Sequence, residues 1–264
     1  MSPSLEYTGR IIYTLHIIGK ATMGQANDRP IGAAVRSALL GHAPGACLLL
    51  VPAGLVPGGT WLWFRGLAFV GAFAAISIAG NVALAICRPA HLRVRQQSVV
   101  ASPEQRQPLI DAIGSAALIA FGMGWLVFIA MDVFRLHLLP APSLWVSVLG
   151  ALGAVLGAAL TPLAVWENRF ATPNVQDQTS QGQAIVETGV YRLVRHPIYL
   201  GNLLLSGGAP LWLGSYAGAL IGVAVLSVMT VGRIVIEERD LRARLPAYKD
   251  YASRVRARLI PFVI

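Results

Sequence analysis

The sequence predicts an all-α fold: a polytopic membrane bundle of about six membrane-embedded helices, with a cytoplasmic C-terminal amphipathic helix. Three observations predict it. Only 12% of the 264 residues are charged while 55% are hydrophobic; a soluble domain carries about a quarter charged residues. The apolar residues fall into blocks long enough to cross a hydrocarbon core of about 30 Å, which takes roughly 20 helical residues. Arginine is concentrated in alternate loops, as expected for the cytoplasmic side of a membrane protein.

The elements follow in chain order. Met1 to Ser37 is mixed in character, with an interfacial helix expected around Ile11–Ile18. The first span is expected from Ala38 to Val56, interrupted by His42, Pro44 and Pro52. Pro57-Gly58-Gly59 makes a tight turn. The second span covers Phe64 to Cys87, the third Leu109 to Met131 and the fourth Leu144 to Val165. The shorter blocks Ile198–Leu213 and Ala217–Ile236 form a hairpin through Gly214-Ser215. Gly150, Gly153 and Gly157 in the fourth span favour close helix approach. Gln176 to Gln183 is a polar loop. In the tail, Tyr248, Tyr251 and Val255 recur at helical spacing and predict an amphipathic helix on the membrane surface.

Six spans place both termini on one side. That side receives Arg10, Lys20, Arg29, Arg36, Arg88, Arg93, Arg95, Arg106, Arg169, Arg192 and Arg195. It also receives the eight basic residues from Arg233 to Arg258; the other side receives only Arg65 and Arg135. The expected location is therefore an integral, multi-pass one with cytoplasmic termini, in the inner or plasma membrane if the source is bacterial. The same asymmetry accounts for the net charge of +9, so no nucleic-acid partner is expected. Cys47 and Cys87 lie in apolar blocks without metal-ligand spacing, and no metal site is predicted. No cleavable signal is expected, because Ile11–Ile18 is short and lacks a small-residue cleavage site. Walker, G-x-G-x-x-G and G-x-S-x-G motifs are missing.

Polar residues concentrate in Trp166–Tyr199 and in Arg233–Pro261, at the cytoplasmic boundary of the last three spans. In the first region Gly189 permits a turn, and Pro197 suits the first position of a helix. Arg195 and His196 then stand at that helix's positive end, where an anionic group is favoured or where they anchor the helix to headgroups. In the second, Glu237 and Glu238 adjoin the last span. They face a cationic ligand, or they pair with Arg233 or Arg242 at helical spacing.

Taken in order, these pieces resemble the isoprenylcysteine carboxyl methyltransferase family. The motifs are Arg195-His196-Pro197-x-Tyr199-x-Gly201, then Glu237-Glu238, then Tyr248-x-x-Tyr251-x-x-x-Val255 before Pro261. Upstream, Glu167-Asn168-Arg169-Phe170, Val186-x-x-Gly189-x-Tyr191-Arg192 and Arg88-Pro89 with Leu92 are similar to that family's bacterial relatives; Val190 stands where those usually have Pro. The resemblance runs from Arg88 to the end. It divides the chain into a segment 1–87 with two membrane helices and no match, and a methyltransferase-like domain 88–264 with its catalytic region at 166–264.

The resemblance implies a fold with no Rossmann domain and S-adenosylmethionine as cofactor, enclosed by the last hairpin and the tail. By position it assigns Gly189, Tyr191, His196, Pro197, Tyr199, Gly201, Glu237 and Glu238 to the cofactor. It assigns Asn168, Arg195 and Arg254 to the substrate, with Arg195, Arg254 and Glu238 in catalytic roles. The implied acceptor is a lipophilic or lipid-linked carboxylate that enters from the bilayer, with membrane lipids as further partners; the oligomeric state is left open. A carboxylate is already a nucleophile at neutral pH, so an acid/base dyad is not required. Three alternatives are related or simpler. Phospholipid or amine N-methylation needs a base, for which Glu167 or Glu238 is the candidate. A sterol-reductase-like enzyme using NADPH needs a basic cluster for a 2′-phosphate, which the sequence does not show. A non-catalytic membrane protein needs no cofactor.

Overall fold

The computed structural model describes residues 30–92, 109–171 and 182–260. The expected helix at Ile11–Ile18, most of the polar loop before Gln183 and the terminal Pro261 lie outside them. Seven α-helices are present among the described residues: α1 (Pro30–Leu55), α2 (Phe64–Cys87), α3 (Leu109–Met131), α4 (Leu144–Glu167), α5 (Pro197–Leu213), α6 (Tyr216–Arg244) and α7 (Ala247–Arg254). Five of them, α1 to α4 and α6, contain stretches long and apolar enough to cross a membrane. The sixth helix expected in the membrane, α5, has 17 residues and is not among these five. It lies against α4 and α6.

Two helices run further than the sequence suggests. The first is continuous from Pro30, through Pro44 and Pro52. Proline at the first helical position costs no donor, and interior prolines are tolerated in membrane helices whose neighbours restore the lost contacts. The last long helix continues past Ile236 to Arg244. Its polar end is held by i,i+4 pairs, Glu238 to Arg242 and Asp240 to Arg244, and it stops one residue before Pro246 is reached. Glu237 and Glu238 are therefore carried on the rigid helix that crosses the membrane.

The α5–α6 hairpin turns at Gly214, whose φ is +107°. Ser215 then caps α6, accepting from Gly218 N at 2.8 Å while its hydroxyl donates to buried Asp132 at 2.5 Å. Asp132 opens a π-helical turn, Asp132–Leu136, at the end of α3. This lock sits at the end of the bundle away from Arg195 and Glu237.

The glycines of α4 form its seam with α5. A Cβ on Gly157 would stand 2.5 Å from the Gly201 carbonyl oxygen, and one on Gly201 would stand 2.7 Å from that of Gly157. Gly150 likewise faces Leu211 and Gly208. Gly201, which the resemblance assigns to the cofactor, lies in this helix contact. Because the opposing atoms are backbone, neither side can yield by a rotamer change. Gly201→Ala is expected to destabilise the protein by about 1–3 kcal/mol, the usual cost of overpacking, despite alanine's better helix propensity. Thermal unfolding in detergent checks this, and an unchanged midpoint would place Gly201 outside the seam.

Candidate active site

A cavity of about 390 Å³ opens where α4, α5 and α6 meet the tail. One end is polar, with Asn168, Tyr191, Arg195, His196, Tyr199, Arg233, Glu237 and Tyr248 in its wall. The other end runs between the membrane helices, against Leu118 of α3, Thr161 of α4 and Leu226 and Met229 of α6.

The polar end is built on the start of α5. Pro197 occupies the first turn and His196 the cap position. The imidazole stacks on Tyr199, with ring centroids 5.5 Å apart. Its Nδ1 lies 3.9 Å from Glu237 Oε2 and its Nε2 lies 3.3 Å from Glu238 Oε1. The Tyr199 hydroxyl donates to Glu237 Oε2 at 2.7 Å. One histidine thus spans both glutamates, yet their surroundings differ. The Glu237 side chain is 30% exposed and lines the cavity.

Glu238 is buried, and its carboxylate is ringed by cations. Arg195 Nη2 is 3.2 Å away, Arg258 Nε 3.3 Å and Arg242 Nη2 3.4 Å. The anion expected at the head of α5 is therefore supplied by α6 itself. Glu238 is not in the cavity wall, and the salt-bridge reading, with Arg242 at helical spacing, describes its place.

The tail closes over this cluster. Arg195 N donates to Ala257 O and His196 N to Arg258 O, each at 3.0 Å, and Arg195 Nη2 donates to Arg256 O at 3.4 Å. The tail helix differs from the surface helix expected. Tyr248 and Tyr251 are 2% and 3% exposed, and the Tyr251 hydroxyl donates to Tyr191 O at 2.9 Å. The aromatic face of α7 packs on protein because the turn Gly189–Arg192 rises to meet it. Burial pushes the hydroxyl pKa of Tyr191, Tyr248 and Tyr251 up, so all three remain protonated at neutral pH.

Other predicted residues support the wall without forming it. Gly189 takes φ +56°, and a Cβ there would stand 2.5 Å from Glu167 Cγ. Glu167 itself accepts from the Thr188 hydroxyl at 2.6 Å, so neither candidate base for amine methylation lines the cavity. Arg254 is on the surface, held by Glu187, with Nε at 3.2 Å from one carboxylate oxygen and Nη2 on the other. It too is absent from the wall.

Among the polar wall residues, Thr161, Asn202, Thr230 and Asp240 were not singled out from sequence. Arg233 had been weighed only as a partner for a glutamate. The Arg258 contact with Glu238 was missed as well. Asn202, Arg233 and Asp240 carry a helical signal, lying three or four residues from Tyr199 or Glu237 along the same helices. Arg258 carries none, since the chain reaches it through an irregular segment.

The donor set suits a cationic, polar ligand. Glu237 presents a carboxylate to the cavity beside two neutral hydroxyls. Arg195 Nε is buried with no hydrogen-bond partner among the described residues, an arrangement that a bound polar group relieves. No group of three or more His, Cys, Asp or Glu suited to a metal is found among the described residues.

Comparisons with known proteins find similarity to methyltransferases. Residues 142–245 match the family model described as phospholipid methyltransferase. Over 121 residues, 45% of this chain, the sequence is 31% identical to protein-S-isoprenylcysteine O-methyltransferase B of Arabidopsis thaliana, and equally to protein-S-isoprenylcysteine O-methyltransferase A of that plant. The chain spans 61% of the length of each. The matched family region takes in the α4–α5 seam, the His196–Tyr199 face and both glutamates. The two relatives carry the name of the family that the motif order resembles.

Proposed function

We propose that this protein is an S-adenosylmethionine-dependent membrane methyltransferase that esterifies the carboxylate of a lipophilic substrate. The observation that carries the reading is the two-ended cavity: a carboxylate, a histidine and tyrosines at the membrane boundary, continuous with an apolar end among the membrane helices. Residues 166–264 are its catalytic region, and the arginine asymmetry supports a cytoplasmic position for both termini and the polar end.

His196, Tyr199 and Glu237, with Tyr191 and Tyr248, would hold the cofactor. Bound there, it supplies a methyl group on a sulfonium, open to in-line displacement. Glu237 offsets the positive charge of the donor's amino or sulfonium group, and the Tyr199 hydrogen bond fixes its carboxylate. The apolar end admits the lipid part of the acceptor and keeps water out. The wall would bring the acceptor oxygen to the methyl group that the bound donor would supply. No proton moves, so alignment is the chain's main contribution, worth about 7–11 kcal/mol in favourable cases. For the acceptor carboxylate, Arg195 has its unsatisfied Nε to offer. Arg254 reaches it only by leaving Glu187.

Amine methylation is favoured by one observation, the family model's description. It requires a base in the wall, where Glu237 and Asp240 are the carboxylates. The readings separate with a tritiated methyl donor. A methyl ester releases volatile methanol in base and an N-methyl amine does not. We expect base-labile label on a farnesylcysteine-type acid and none on a phospholipid amine. Label that survives base would overturn ester formation, and failure of the purified protein to bind S-adenosylmethionine calorimetrically would overturn the whole reading.

A further inference from the structure

A second cavity, of about 170 Å³, lies far from the site, between α2 and α4. Below it the two helices touch closely: a Cβ on Gly80 would stand 2.5 Å from Pro162 Cβ. Above that contact they are separated by small side chains, and the opening is lined by Phe69, Ala72 and Phe73 on α2 and Ala151 and Val155 on α4, with Trp212 at one end. The result is a V-shaped cleft with its vertex at Gly80–Pro162. Ala68 and Ile76 bound its α2 wall, two turns that rise about 12 Å. One leaflet of a hydrocarbon core is about 15 Å deep.

The Trp212 end is where the cleft meets a charge. Arg65 lies over the Trp212 ring at 5.5 Å. Its Nη1 donates to Ser147 Oγ and to Trp212 O, and Trp212 Nε1 donates back to Arg65 O at 2.9 Å. The guanidinium is thus oriented by one nitrogen and half-buried. Arg65 and Arg135 are the basic residues of this membrane face, and the catalytic cavity lies at the other.

We propose that the cleft binds an anionic phospholipid of the leaflet opposite the active site, with one acyl chain between α2 and α4 and the phosphate on Arg65. The match is one of length, shape and charge. An apolar slot one leaflet deep takes a chain, and a fork-shaped cation at its mouth takes a phosphate better than a zwitterionic headgroup. Methyl transfer plays no part in this site, so its test stands apart from that of the proposed enzyme.

The test is thermal unfolding of the delipidated full-length protein titrated with phosphatidylglycerol or with phosphatidylcholine of the same chains. Binding to the native state alone is expected to raise the midpoint by about 5 °C or more at a hundredfold excess over the dissociation constant, with phosphatidylglycerol effective at lower concentration. Ala72→Trp, which fills the exposed side of the cleft, should abolish the rise. Arg65→Gln should erase the preference for the anionic lipid, whatever its own starting midpoint. Equal responses to both lipids in the parent protein, or an undiminished response in Ala72→Trp, would overturn the proposal. So would light scattering that shows a delipidated dimer which Ala72→Trp dissociates, since the cleft would then hold a helix of a second copy.

Discussion

Glu238→Gln is expected to lower the thermal unfolding midpoint by roughly 10 °C. Its carboxylate is 5% exposed and is the meeting point of Arg195 from the head of α5, Arg242 from its own helix and Arg258 from the tail. Arg195 is itself buried at 8%. Removing one member of a buried pair strands the other in low dielectric, at about 3–5 kcal/mol. Each kcal/mol moves the midpoint of a chain this size by about 2–4 °C. The loss should be concentrated in the tail, where Arg258 loses its anchor while the backbone pairing of Arg195 and His196 with 257 and 258 remains. Cleavage by trypsin after Arg254, Arg256 and Arg258 should therefore quicken before the bundle unfolds. A variant that melts like the parent and resists cleavage, while failing to bind the methyl donor, would make Glu238 a ligand contact and not the tail's anchor.

The bundle was legible in the sequence because a membrane span needs only length and apolarity, and the turns were marked by Gly58, Gly214 and Pro197. Helix ends were less so. The polar end of α6 has the composition of a loop, and only its i,i+4 charge pairs and the contacts of Glu238 show why it stays helical. Within the site, His196, Pro197 and Tyr199 were legible because a proline fixes where α5 begins and so where its first turn points. The two glutamates were not separable, since composition treats neighbours alike. On a helix they point about 100° apart, so Glu237 meets the cavity and Glu238 the arginines. Gly201 belongs to the same motif as Tyr199 but lies half a turn round α5 from it, toward Gly157, a partner 44 positions earlier that no local spacing reveals. Arg254 and Arg258 are equally basic on paper. The tail's path past Arg195 sends one to Glu187 at the surface and the other to Glu238.

Glu237→Gln is expected to weaken binding of S-adenosylmethionine about tenfold to a hundredfold and to leave the unfolding midpoint nearly unchanged. The residue's side chain is 30% exposed with His196 Nδ1 3.9 Å away, and it accepts from the Tyr199 hydroxyl at 2.7 Å, a bond that an amide oxygen accepts equally well. Substitution therefore removes a charge from the cavity wall without leaving a buried group stranded. A contact between a carboxylate and a cationic ligand is worth about 1.5–3 kcal/mol, and each 1.4 kcal/mol is a factor of ten in affinity. Tyr199→Phe removes only the hydrogen bond that orients the carboxylate, so it should produce a smaller loss in the same direction. Calorimetric titration of parent, Glu237→Gln and Tyr199→Phe measures all three. The demethylated product keeps the amino group but has lost the sulfonium charge. If Glu237 faces the sulfonium, the product should bind parent and variant alike. If it faces the amino group, both ligands should weaken together. Parent-like affinity of Glu237→Gln for both would remove Glu237 from the binding wall and take the His196–Tyr199–Glu237 face out of the cofactor site.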